Sequence, residues 1–177
     1  MPSKRKNLPA IAIAVSRYNA SVTEPLLQGA IGVYTRAGGD ERNLLILDAP
    51  GAFELPVLVA GALRRKKVAA AVALGCIVKG ETRHDRVLGN AVTQSLCELS
   101  VRTLKPVGLG VLTVENADQA HARAGGDKGN KGAEAMEAVL MTLDALAHAA
   151  GKRRAPSAAA RPDKASRSAA RREGSRP

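Results

Sequence analysis

Five consecutive residues, Gly80, Glu81, Thr82, Arg83 and His84, follow an apolar run from Val68 to Val78 and precede a stretch of helical periodicity. The order strand, tight loop, helix start leaves free backbone amides at the loop, and such amides favour an anion. Gly80 lets a ligand approach the backbone, Thr82 offers a hydroxyl, and His84 exchanges a proton near neutral pH. The stretch therefore predicts a phosphate-bearing substrate and proton transfer beside it. Two further residues are conspicuous by rarity. The chain has no Trp, two Tyr and one Phe, so Tyr18 and Phe53, both in polar or Gly/Pro-rich loops, stand out from a core of Ala, Val and Leu.

The elements that must carry these residues alternate. Ile11 to Val15 reads as a short strand ending in the polar loop 16–20, and Ser21-Val-Thr-Glu24 has the spacing of a capping box. Leu26, Leu27, Ala30, Ile31 and Tyr34 then share a helical face, closed by Gly38-Gly39. Leu44 to Leu47 is read as a buried strand. The segment Asp48 to Pro56 leads into a helix from near Phe53 to about Arg65, with Pro56 tolerated in its first turn. Val68 to Val78 is the next strand. A helix over Val87–Leu104 is stopped by Pro106, and Val107 to Thr113 is a fourth strand. A short helix over Asn116–Arg123, a flexible loop over Gly125–Gly129 and a last helix capped by Asn130 complete the pattern, with Met136, Val139, Leu140, Leu143 and Ala147 on its apolar face. Strands alternating with helices predict an α/β fold, a single-domain three-layer αβα sandwich with a four-stranded parallel sheet and helices on both faces. The loops 16–20, 48–54, 77–84 and 113–116 then meet at the strand ends, where ligands bind in such sheets.

Charge and cysteine usage narrow the function classes. The formal charge is +11, but residues 151–177 hold nine Lys and Arg against two Asp and Glu, and Lys4, Arg5 and Lys6 account for three more. Only about +1 is left for residues 8–150, so the folded part gives little reason to expect a nucleic-acid surface, and a basic tail alone could offer one. Residues 1–9 are read as a basic arm, 10–150 as the domain, and 151–177, without apolar periodicity, as a disordered basic tail. Cys76 and Cys97 have no metal-ligand spacing and are read as two buried reduced thiols, with no metal implied. His121 and His148 are read as surface or packing residues. The basic start and short apolar run lack a clear cleavage site, and no run reaches membrane-spanning length; the default expectation is a cytoplasmic protein.

Several stretches together resemble one family, the lumazine synthases of riboflavin biosynthesis. They are Ser16-Arg-Tyr-Asn19, Pro50-Gly-Ala-Phe-Glu-Leu-Pro56, Ala73 to His84, Gly110-Val-Leu-Thr113 with Gln119-Ala120 and Arg123-Ala-Gly125, and Asn130-Lys-Gly132. The resemblance covers roughly residues 10–148 and implies a flavodoxin-like sheet. It also implies condensation of 5-amino-6-(ribitylamino)uracil with 3,4-dihydroxy-2-butanone 4-phosphate to 6,7-dimethyl-8-ribityllumazine, phosphate and water, with neither metal nor organic cofactor. On that resemblance Tyr18 stacks on the heterocycle, and Gly51, Ala52, Phe53 and Glu54 bind the ribityl chain with Lys131 nearby. Ile77, Val78 and Leu109 line the substrate, Gly80, Glu81, Thr82 and Arg123 hold the phosphate, and His84 is the acid/base. The family builds its site between neighbouring subunits, which implies a homo-oligomer, a pentamer or an assembly of pentamers.

Some positions depart from the family pattern. Leu109 stands where an aromatic is common, Lys79 replaces a usual arginine, Arg83 a usually uncharged residue, Asp85 a usual aromatic, and Val114 a usual second threonine. Leu109, Arg83 and Asp85 motivate an alternative, a flavin- or pterin-binding or shell-forming protein on the same fold without turnover. A third reading makes the basic ends the functional part, binding nucleic acid by phosphate neutralisation.

Overall fold

A computed structural model describes residues 8–151. The arm and tail expected at the two ends, residues 1–7 and 152–177, lie outside the described residues. Strands β1 (Ala10–Ser16), β2 (Leu44–Ala49), β3 (Val68–Val78) and β4 (Val107–Val114) form one parallel sheet in the order β2-β1-β3-β4. Helices α1 (Ala20–Arg36) and α5 (Lys131–Ala149) cover one face, and α2 (Leu55–Leu63) and α3 (His84–Thr103) the other. A short helix α4 (Ala117–Arg123) follows β4. This is the three-layer α/β sandwich expected from the alternation of elements.

The pleat sorts side chains between two cores. Ile11, Ile13, Val15, Val72, Leu74 and Cys76 point toward α1 and α5, where they meet Leu26, Tyr34, Met136 and Val139. The alternate positions Ala12, Ala14, Ala71 and Ala73 point toward α2 and α3, against Leu55, Val59, Val92 and Leu96. Small residues on the second face let two helices sit close to the sheet, so the loops leading into them lie near the strand ends.

The chain runs from β1 outward to β2, then crosses back to β3 on the other side of β1. This reversal opens a crevice at the carboxyl ends of β1 and β3, the place where parallel sheets receive ligands. Position in the sheet thus selects which loops can share a ligand.

Five expectations are corrected. Ser21 does not cap α1: the helix starts at Ala20, with Asn19 at the N-cap and no side-chain cap bond. Glu24, the other half of the expected box, is drawn to Arg17 and Gln28 instead, at 2.8 and 2.9 Å. Helix α3 begins at His84, a turn earlier than expected, because nothing between Glu81 and Val87 breaks it and Asp85 suits a helix N-terminus. Residues 124–130 are not a plain loop but a small antiparallel hairpin, β5 (Ala124–Gly126) and β6 (Gly129–Asn130), with Gly125 and Gly129 at positive φ. Finally, β2 is a half-buried edge strand, and Cys97 is exposed on the outer side of α3 while Cys76 is buried.

Candidate active site

The loop after β1 is tied down on three sides. The Arg17 amide donates to the Ala49 carbonyl at 2.9 Å, and its guanidinium grips Asp48 at 2.6 Å and Glu24 at 2.8 Å. Asn19 donates through Nδ2 to the Cys76 carbonyl at 2.8 Å, and the Thr23 hydroxyl donates to the Ser16 carbonyl at 2.6 Å. These bonds join the ends of β1, β2 and β3. Tyr18, in the middle of the loop, is 82% exposed and holds its ring clear of the core. The two carboxylates raise the pKa of Arg17; Glu24 is held below the usual glutamate range, chiefly by the Gln28 amide and then by Arg17.

The loop after β2 bends on a local bond. The Gly51 amide donates to the Glu54 carboxylate at 3.0 Å, which fixes the turn and orients Phe53 outward, 68% exposed. The Glu54 carboxylate is half-buried and keeps acceptor capacity for a ligand.

The loop after β3 is the most open. A Cβ placed on Gly80 would meet nothing within 4 Å, so the space above its backbone is free for a ligand. The Thr82 hydroxyl accepts a long bond from the His84 amide, 3.4 Å. His84 is the first residue of α3, exposed, and its imidazole has no hydrogen-bond partner among the described residues.

These three loops enclose a cavity of about 870 Å³ at the β1/β3 crevice. Of the residues expected in the site, Tyr18, Gly51, Ala52, Phe53, Glu54, Ile77, Val78, Gly80, Thr82 and His84 line it. Glu81, Leu109, Arg123 and Lys131 do not. Lys79, whose neighbours border the cavity, is turned away: its amide donates to the Val114 carbonyl at 2.9 Å and its ammonium pairs with Glu115. The fourth expected loop, 113–116, is thereby bound to the outer side of β3 and stays out of the cavity. Four lining residues were not anticipated as site residues: Asn19, Cys76, Asp85 and Leu88. Asp85 alone carried a signal in the sequence, as a carboxylate where the family pattern has an aromatic.

A volume of this size, with two aromatic rings at its rim, a histidine and an open glycine loop, has room for a small-molecule ligand. The family model of 6,7-dimethyl-8-ribityllumazine synthase matches residues 9–147, the whole of the folded unit that builds this cavity. The chain belongs to that family.

The relatives agree along most of their length. The chain is 44% identical over 126 residues to the 6,7-dimethyl-8-ribityllumazine synthase of Thermus thermophilus, covering 71% of this chain and 80% of the relative. It is 42% identical over 139 residues to that of Rhodopirellula baltica, 77% and 90% of the two chains. It is 41% identical over 134 residues to that of Campylobacter curvus, 76% and 86%. Family membership makes the chain a transferase of riboflavin biosynthesis.

Of the residues named by the resemblance but absent from the cavity, Arg123 and Lys131 sit beyond β4. Arg123 ends α4, where its guanidinium donates to the Gln119 carbonyl at 3.0 Å. Lys131 opens α5 and pairs with Glu134. The Asn-Lys-Gly run that carries Lys131 has a packing reason. Asn130 caps α5 by accepting from the Ala133 amide at 3.0 Å and donates to the Pro25 carbonyl at 2.9 Å. Any side chain on Gly132 would strike the backbone carbonyl of Leu26. Lys131 is therefore presented from a rigid helix start locked onto α1. Leu109, 48% exposed, lies on β4, the other edge strand.

Burial pushes the Cys76 thiol up, so the one sulfur beside the cavity is a wall residue and a poor nucleophile. Among the described residues, no group of three or more His, Cys, Asp or Glu side chains could hold a metal ion, and no helix is long and apolar enough to cross a membrane.

Proposed function

We propose that the cavity binds 5-amino-6-(ribitylamino)uracil and 3,4-dihydroxy-2-butanone 4-phosphate side by side, and that the residues around it carry their condensation to 6,7-dimethyl-8-ribityllumazine, phosphate and water. The single observation behind this reading is that three loops distant in sequence bring Tyr18, Phe53, Glu54, Thr82 and His84 to one crevice. Tyr18 and Phe53 supply the apolar faces for the ring system, with Ile77 and Val78 forming the floor. Gly51, Ala52 and Glu54 offer backbone groups and a carboxylate to the ribityl hydroxyls. Gly80, Glu81 and Thr82 offer amides and a hydroxyl to the phosphate.

The amine nitrogen attacks the ketone carbon and one water leaves to give an imine; phosphate is eliminated, the resulting enol tautomerises to a ketone, and the ribitylamino nitrogen closes the ring on that carbonyl with loss of a second water. Each of these steps transfers a proton, and His84 is the group in the cavity suited to do it near neutral pH. The amine is already nucleophilic, so a large share of the rate comes from holding the two molecules in register.

Among the described residues, no Lys or Arg side chain lines the cavity, yet one substrate is a phosphate ester. Arg123, Lys131 and Leu109 complete the site from a neighbouring copy, which makes the working form a homo-oligomer, a pentamer or an assembly of pentamers. The enzyme works in the cytoplasm as one domain, residues 10–150, between a basic arm and a basic tail. Purified full-length protein with both substrates tests the reading, following lumazine absorbance and phosphate release together. Equal amounts of both, well above the uncatalysed rate, are expected. A folded, assembled protein that releases neither would leave a ligand-binding pocket without turnover.

A further inference from the structure

Asp85 is the one charged side chain among the described residues that is buried, 9% exposed, and it lines the catalytic cavity from the first turn of α3. It makes no hydrogen bond or ion pair with any described residue. The other carboxylate of the cavity, Glu54, is half-buried and already takes the Gly51 amide. A polar group taken out of water without a partner is costly, and more so when charged. An unpartnered carboxylate in a cavity that a ligand will fill therefore calls for a donor from that ligand.

We propose that Asp85 is a substrate-contact residue that decides which substrate occupies its part of the cavity, accepting a hydrogen bond from an N–H or O–H of the ribitylaminouracil. The inference rests on the reaction proposed above. A carboxylate only accepts, so it selects a ligand rich in donors, and it repels the anion of a phosphate ester. Of the two substrates, the ribitylaminouracil carries ring N–H, amino and hydroxyl donors and no anionic group. The cavity lining supports the same polarity: Glu54 and Asp85 are its carboxylates, His84 its only titratable base, and no Lys or Arg of the described residues stands among them.

Two other roles fit less well. Consecutive residues on a helix point about 100° apart and do not face each other, so Asp85 is badly placed to orient the His84 ring. An acidic residue in a first turn favours the helix field, but that role needs no burial and is met by an exposed side chain.

The test is steady-state kinetics of the assembled full-length enzyme with each substrate varied in turn, for wild type, Asp85→Asn and Asp85→Ala, with thermal unfolding of each. Asp85→Ala is expected to raise the KM for ribitylaminouracil about tenfold, the loss of one hydrogen bond to a charged group. The KM for the butanone phosphate is expected to stay within about twofold, because uniform damage to the site is absent. Asp85→Asn, which keeps one acceptor oxygen, should fall between. The unfolding midpoint should not drop in either variant. If Asp85→Ala does not assemble, Asp85→Asn carries the same comparison. Unchanged KM values, or a rise shared equally by both substrates, overturn the assignment, as does a midpoint that falls with activity. Wild-type turnover is the control: its absence overturns the reaction itself, and the assignment with it, whereas normal wild-type turnover with unaltered variants overturns Asp85 alone.

Discussion

The residues implicated in the reaction fall into two groups that differ in how the chain holds them. Tyr18, Phe53, Glu54, Thr82 and His84 stand on loops at the ends of β1, β2 and β3, the first loop tied to the end of β2 by the Arg17 amide and to β3 by the Asn19 side chain. Arg123 and Lys131 stand at the end of one helix and the start of another, with side-chain bonds among the described residues made within their own helices, to Gln119 and Glu134. The first group shares one cavity, with the loops after β1 and β2 tied down and the loop after β3 the most open. The second is rigid at the backbone but has replaceable side-chain partners. On the proposed reading, one set encloses a substrate and the other reaches toward one. The difference predicts that the two groups fail separately.

Removal of His84 should cost most. In His84→Ala the proton relay falls to water, and kcat is expected to drop about 100-fold, the lower range for a positioned acid/base, with little change in either KM. Stopped-flow or steady-state lumazine absorbance reads the change; a loss under about threefold would remove His84 from the mechanism. Arg123→Ala should act on the other substrate, raising the KM for the butanone phosphate about 30-fold through loss of a charge-assisted contact. The two variants also test the separation directly. If each site takes His84 from one copy and Arg123 from its neighbour, refolding the two variants together at equal amounts restores about a quarter of the sites. Activity that never exceeds the sum of the parents would mean that one chain supplies both groups.

Those two groups were not equally legible in the sequence. The sheet, its four strands and the loops at their ends follow from apolar runs and helical periodicity, which depend on near neighbours. Tyr18, Phe53 and His84 were marked by rarity or by chemistry on a loop. Asn19 and Leu88 had no such mark, because their place in the cavity depends on how α1 and α3 settle against β3. The missed cap at Ser21 has the same origin. Its local spacing was right, but Glu24 found a better partner in Arg17, seven residues back, once β1 and β2 brought Asp48 alongside. The hairpin 124–130 was hidden by its composition, since three glycines read as a loop whether or not their backbones pair. Asn130 and Gly132 were legible as a motif, but their reason, docking of α5 on α1, belongs to packing.

That docking gives a third way to separate the groups. Asn130→Ala removes the α5 cap and the bond to the Pro25 carbonyl together, and should lower stability by about 1–2 kcal/mol. Loosening this corner shifts Lys131 while the three cavity loops keep their own bonds. The expected signature is a lower denaturant midpoint with a KM change of about threefold and an unaltered kcat. A kcat loss comparable to that of His84→Ala would show that the two regions are mechanically one.

The smallest effect concerns the cavity wall itself. Cys76 contributes its carbonyl to Asn19 and turns its thiol into the core beneath α1 and α5, where burial raises the thiol pKa. In the unfolded chain the thiol ionises near the ordinary value of about 8.5. Between that value and its raised folded value, the unfolded chain binds fewer protons than the folded one, so stability falls as pH rises through this window and is intact below it. Urea titrations from about pH 7 to 10 should show this alkaline loss in the wild type and a shallower one in Cys76→Ala. Cys97, exposed on α3, offers the contrast: alkylation of the folded protein should reach it before Cys76. Equal slopes for wild type and Cys76→Ala would mean that the thiol meets water in the cavity, and that the wall between the catalytic crevice and the core is thinner than the packing of β3 implies.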